Sequence, residues 1–136
     1  MQKSRPVGKT KATGFQVGVR RTFPITIEEA WDLIIKKGLK IWLGDVSSFN
    51  IQIGEKYLTN EGISGEVRVV NHDQNIRLTW KKESWIKAST LQIRTISNGH
   101  DKTTISFHQE NLSDMNVREE MKTRWEETLN RLRTLL

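Results

Sequence analysis

The last twenty residues constrain this chain more than any other stretch. Val117, Met121, Trp125, Leu129, Leu132 and Leu136 follow one another at spacings of 4, 4, 4, 3 and 4, which draws one apolar stripe along a long helix. Glu119, Glu120, Glu126, Glu127, Arg131 and Arg133 fall on the opposite side, acids early and bases late, as the helix dipole favours. Asp114 or Asn116 is placed to cap it. A helix with a single stripe is held mainly by what it packs against, so the rest of the chain must supply a matching apolar face.

That face is readable as strands. Phe15, Val17, Val19, Arg21 and Phe23 alternate with Gln16, Gly18, Arg20 and Thr22, a half-buried strand with one arginine on its apolar side, ended by Pro24. Thr26-Ile27-Glu28-Glu29 has the form of a capping box, and Ala30, Trp31, Ile34 and Ile35 continue it as a helix from Ile27 to about Lys37, stopped by Gly38. A second short helix follows at Leu39, Lys40, Ile41, Trp42 and Leu43, closed by Gly44. From there to residue 110 the signals are strand and turn. Segments 47–53 and 55–60 are split by Gly54, and 64–70 carries Val67 and Val69. Ile76, Leu78 and Trp80, then Leu91 and Ile93, then Ile105 and Phe107, each alternate with polar residues. Asn71-His72-Asp73-Gln74-Asn75 and Ser97-Asn98-Gly99-His100-Asp101 are the turns between them. The predicted fold is α+β, a curved antiparallel sheet of about six to seven strands gripping the terminal helix, with two short helices after the first strand. A long helix across a curved sheet touches it fully only where the surfaces converge, so an apolar cavity is expected between them.

Length and composition narrow the function. The 136 residues make one domain, expected at 14–136, after a flexible basic leader at 1–13. With no cysteine, disulfides, thiolate zinc sites and thiol catalysis are excluded. No apolar run is long enough for a membrane span, and the start lacks the apolar core of a secretory signal, so a cytoplasmic location without membrane insertion is expected. The formal charge is +6, but Lys3, Arg5, Lys9 and Lys11 supply four of those charges, leaving 18 basic against 16 acidic residues in the body. Nucleic-acid binders cluster such charge on the folded part, so no nucleic-acid partner is predicted.

Several residues resemble a known family. Phe15-x-Val17-x-Val19-Arg20-Arg21-Thr22-Phe23-Pro24, Ala30-Trp31, Trp42-Leu43-Gly44, Gly65-Glu66-Val67-x-Val69, Arg77-Leu78-Thr79-Trp80 and Thr103-x-Ile105-x-Phe107-His108-Gln109 look like the SRPBCC (START/Bet v 1-like) superfamily. More narrowly they resemble its branch of activator of heat-shock-protein-90 ATPase homologues, over about residues 13–136. The resemblance implies a helix-grip fold whose cavity holds hydrophobic ligands in many members. Relatives also include polyketide cyclases and a eukaryotic chaperone activator, so the fold alone does not give the function. The eukaryotic activator has a further N-terminal chaperone-binding domain, and none is expected here.

The candidate residues are weighed accordingly. Gly8-Lys9-Thr10 is not a phosphate loop, because Lys3 stands where the first glycine is needed. His72, His100 and His108 have no partners at metal-ligand or triad spacing, so neither a metal nor a catalytic residue is expected. Glu110, at a strand end, is the one remote acid–base candidate. Trp42, Tyr57, Leu78, Trp80, Leu91, Ile93, Phe107, Met121 and Trp125 are either plain core or the lining of a ligand cavity. Arg21 is either ion-paired to Glu127 or Glu120 or the polar anchor for an acidic ligand group. The expected function is noncatalytic binding of a small hydrophobic molecule, without a cofactor, by a monomer or weak dimer. Stimulation of a heat-shock-protein-90-class chaperone and a polyketide cyclase-like activity are the alternatives.

Overall fold

The computed structural model describes residues 9–10, 14–46 and 49–136. Seven strands, β1 (Lys9–Thr10), β2 (Gly14–Phe23), β3 (Lys56–Leu58), β4 (Ile63–Asn71), β5 (Asn75–Lys82), β6 (Ser89–Ser97) and β7 (Thr103–Leu112), form one antiparallel sheet. Their spatial order is β1-β2-β7-β6-β5-β4-β3. The connection from β2 to β3 carries the helices α1 (Ile27–Asp32) and α2 (Leu39–Trp42), and α3 (Met115–Arg133) follows β7. This is the helix-grip architecture, with α3 packed on β2, β7 and α2. Of the leader expected at 1–13, only Lys9–Thr10 lies among the described residues, and it pairs with Phe15 and Gly14 of β2.

The local signals act as their chemistry requires. The Thr26 hydroxyl accepts from the Glu29 amide at 3.1 Å, and the Glu29 carboxylate accepts from the Thr26 amide at 3.0 Å. The bond from the Thr26 backbone amide, foremost, and the Thr26 side chain beside it hold the Glu29 carboxyl below its ordinary pKa. Asp114 caps α3 by accepting from the Val117 amide at 2.8 Å.

Three expectations are corrected. The first helix does not run evenly to Lys37: over Leu33–Lys37 it widens into a π-helical turn, with the Gly38 amide reaching the Leu33 carbonyl at 2.6 Å. Gly38 also has a packing reason, since a Cβ there would lie 2.4 Å from Leu132 Cδ2 of α3. Residues 49–53 are not a strand, and 47–48 lie outside the described residues. Phe49 and Ile51 satisfy their alternation by packing on the core, Phe49 edge-on to Tyr57 at 5.7 Å, while Ile53 is exposed. The helix stripe ends at Leu132, because α3 stops at Arg133 and Leu136 is exposed.

Gly65 is held by a close approach. A Cβ at this position would lie 1.8 Å from the Thr79 carbonyl oxygen and 2.5 Å from the Tyr57 hydroxyl, and backbone cannot yield. Here the Tyr57 hydroxyl donates to the Thr79 carbonyl at 2.5 Å, tying β3 across β4 to β5.

Candidate functional site

All nine residues read as a possible cavity wall come together, as packed neighbours. Trp42, Tyr57, Leu78, Trp80, Leu91, Ile93, Phe107, Met121 and Trp125 belong to one cluster, each at most 6% exposed. Phe107 of β7 stacks on Trp125 of α3 with ring centroids 5.1 Å apart and planes 19° from parallel. Trp80 meets the other side of this pair, edge-on to Trp125 at 5.8 Å, and Trp42 stands edge-on to Phe107 at 6.4 Å. The wall of a water-sized cavity stays partly accessible, whereas Trp80, Leu91, Phe107, Met121 and Trp125 have no accessible surface. Sheet and helix therefore meet directly here, through aromatic faces.

A buried polar chain fixes this contact. The Trp125 indole Nε1–H donates to Gln109 Oε1 at 2.8 Å, Gln109 Nε2 donates to Ser89 Oγ at 2.8 Å, and Ser89 Oγ donates to the Trp80 carbonyl at 2.6 Å. Each member answers the next, so the helix is keyed to β6 and β7 at one register. In the sequence Gln109 stands out only as the last residue of the motif Thr103-x-Ile105-x-Phe107-His108-Gln109, and its position two residues beyond Phe107 places it on the inward face. Arg124 falls outside the apolar stripe, and nothing in the spacing marks it. Its guanidinium lies over the Trp80 and Trp125 rings at 5.1 and 5.6 Å and is 3.7 Å from Glu61, closing the rim of the core. Burial pushes the Tyr57 phenol well above its ordinary pKa.

Arg21 is half-buried on the helix side of β2, and its guanidinium donates to the side-chain oxygen of Asn130 on α3. Its partner is an amide, neither Glu127 nor Glu120; Glu120 pairs instead with Lys82. Glu110 lies on the other face of the sheet, 3.2 Å from Arg77. His108 shares that face and bonds the Gln16 side chain at 3.0 Å, while His72 and His100 sit on turns beside Asp73 and Asp101.

Open space lies at the ends of the sheet. One pocket of about 810 Å³ is lined by Gly14, Ser84, Trp85, Ile86, Lys87, Ala88, Asn111, Leu112 and Ser113. It joins the β5–β6 loop to the bulged corner where β7 turns toward α3, with Asn111 at φ 66°. Ile86 is 96% exposed beside it. Trp85 is half-buried and stands edge-on to Trp80 at 5.2 Å, so Trp80 lies directly behind the pocket wall. The Trp80 indole Nε1–H is buried and has no hydrogen-bond partner among the described residues. A second, polar pocket of about 500 Å³ lies at the other end, lined by Ile27, Asp73, Gln74, Asn75, Gln92, Arg94, Thr95, Ile96 and Ser97. No helix among the described residues is long and apolar enough to cross a membrane.

Solved structures share this architecture. CalU16 from Micromonospora echinospora is similar with a TM-score of 0.78 at 16% identity, over 93% of this chain and 78% of that one. PFC0360w, an HSP90 activator from Plasmodium falciparum, is similar with a TM-score of 0.77 at 18% identity, over 90% of this chain and 96% of that one. The Aha1 dimer from Colwellia psychrerythraea gives 0.69 at 16% identity, over 87% and 92%. At such identities the likeness establishes the fold alone. No curated protein matches the sequence. The family model described as activator of Hsp90 ATPase homolog 1-like protein matches residues 24–136, and by that match, across both short helices, the sheet from β3 onward and the gripping helix, the chain belongs to this family.

Proposed function

We propose that this protein is a noncatalytic small-molecule-binding domain whose ligand enters at the pocket between the β5–β6 loop and the β7–α3 corner. The observation that carries this reading is the pairing of that open space, about 810 Å³, with the orphaned Trp80 indole N–H behind its Trp85 wall. A buried donor without a partner costs roughly 1–3 kcal/mol, and a ligand acceptor entering beneath Trp85 would recover it. Trp85, Ile86, Ala88 and Leu112 supply apolar contact, and Lys87 on the rim favours an acidic group. The ligand class is thus an apolar molecule with a carbonyl or carboxylate. The polar anchor expected at Arg21 moves to Lys87, since Arg21 stands seven residues along β2 from Gly14, roughly 23 Å away.

The test is a screen of fatty acids, flavonoid-like and polyketide-like molecules by tryptophan fluorescence and thermal shift. Binders are expected to quench or shift the Trp80–Trp85 emission and to lose affinity in Trp85→Ala. Ligands that bind Trp85→Ala as tightly as the parent protein overturn the site.

A second reading is favoured by the fold neighbour described as an HSP90 activator, which this chain matches over 96% of that structure. On it, the domain stimulates an Hsp90-class ATPase through its surface. Measuring turnover of the host's chaperone with and without the protein decides it, unchanged turnover counting against it.

A further inference from the structure

The face of the sheet turned away from α3 carries a feature that neither the packed core nor the pocket uses. Arg20 of β2, Ser106 of β7 and Arg94 of β6 stand directly opposite one another in the strand register. Directly opposed residues share a face, so the two arginines flank the serine with Cα atoms roughly 9.5 Å apart. Both arginines are exposed, and among the described residues neither has an ion pair or hydrogen bond. The neighbouring row is different: Arg77, Gln92, His108 and Gly18 lie in register, and Arg77 is already paired with Glu110 at 3.2 Å. Ser106, a small residue, keeps the floor low between the arginines. Beside Arg94 the polar pocket of about 500 Å³ leaves room for a further side chain, and the carboxylate on its wall, Asp73, lies 3.3 Å from His72.

We propose that this Arg20–Ser106–Arg94 row is a docking surface for an acidic segment of a partner protein, whose carboxylates seat between the two guanidinium groups over the Ser106 hydroxyl. Guanidinium forks match carboxylates in two-point geometry, and charge complementarity of this kind selects partner and register. A nucleic-acid strand fits less well. The face offers no Trp, Tyr or Phe for base stacking, and Glu110 and Glu66 interrupt its positive charge. The proposal is independent of the ligand pocket, which lies at the sheet's end.

Binding of a labelled oligoglutamate peptide, a single-stranded oligonucleotide and anionic phospholipid vesicles to the full chain tests it. The peptide is expected to bind with an affinity that falls as salt rises. Arg20→Glu and Arg94→Glu should each weaken it about tenfold, and Arg133→Glu, an exposed change at the end of α3, should not. Equal loss in Arg133→Glu, no loss in Arg20→Glu and Arg94→Glu, or tighter binding of the oligonucleotide or vesicles than of the peptide overturns the surface. Circular dichroism and melting of each variant against the parent separate lost docking from lost folding, and Arg20→Gln with Arg94→Gln gives the milder version if charge reversal unfolds the sheet.

Discussion

Two aromatic regions of this molecule share a residue and behave in opposite ways. At the centre, Trp80, Phe107 and Trp125 pack ring to ring with no accessible surface, and the Trp125 indole is answered by Gln109. One ring further out, Trp85 leans on the same Trp80, yet it borders an open pocket beside the exposed Ile86, and the Trp80 indole is unanswered. The inner region is where α3 closes on the sheet. The outer region lies beyond that closure, on a loop that no helix covers among the described residues. The difference teaches that in a helix-grip fold the grip itself can fill the interior, and binding then belongs to the margin where the grip ends.

Substitutions can break or sharpen this contrast. The largest effect is expected for Trp125→Ala, which should lower stability by about 3–5 kcal/mol in chemical denaturation, as removal of a fully enclosed aromatic does. A loss below about 1 kcal/mol would mean that the centre is not close-packed. Gln109→Leu keeps the bulk but leaves the Trp125 N–H without its acceptor and Ser89 without a donor, so a loss of about 1–3 kcal/mol is expected. If it stabilises instead, the polar chain is no key to the register.

Tyr57→Phe removes the bond to the Thr79 carbonyl and should cost about 1 kcal/mol at neutral pH. It also carries a pH signature. Burial raises the Tyr57 pKa in the folded state above its ordinary 10.0, so its contribution is complete below about pH 10 and is lost as pH rises beyond that. The parent protein should therefore lose stability above pH 10 more steeply than Tyr57→Phe does. Parallel alkaline melts would contradict the buried phenol. Trp85→Ala is expected to change stability least, by about 1 kcal/mol, because Trp85 is half-buried at the margin of the core, edge-on to Trp80. In a melt it should look nearly silent while ligand response falls at least about tenfold, and a large melting shift would place Trp85 with the centre instead of the margin.

Much of this was readable along the chain. The 4-4-4-3 spacing from Val117 to Leu132, the Thr26–Glu29 capping box and the alternation through Leu78-Thr79-Trp80 each report a local pattern, so they give the body of α3, the start of α1 and the inward face of β5. Gly38 is legible as a stop, but its close approach to Leu132 is not, because that partner lies far along the chain. Segment 47–53 looked like a strand because Phe49 and Ile51 alternate, and alternation records burial without recording ladder bonds. Alternation along β2 puts Arg21 on the helix side, whereas its partner Asn130 depends on how α3 lies across β2.

By itself, then, the sequence determined the order of the helices and the long strands, the side of those strands that turns inward, and the single helix that must cover the sheet. Those properties follow from spacing and side-chain polarity, which act locally. Only the tertiary structure decided that Phe107 and Trp125 meet face to face at 5.1 Å, that these two rings and Trp80 are fully buried, and that free volume opens beside Trp85. The distance between two surfaces depends on sheet curvature and on side chains from both, and no periodicity along one element encodes the gap to another.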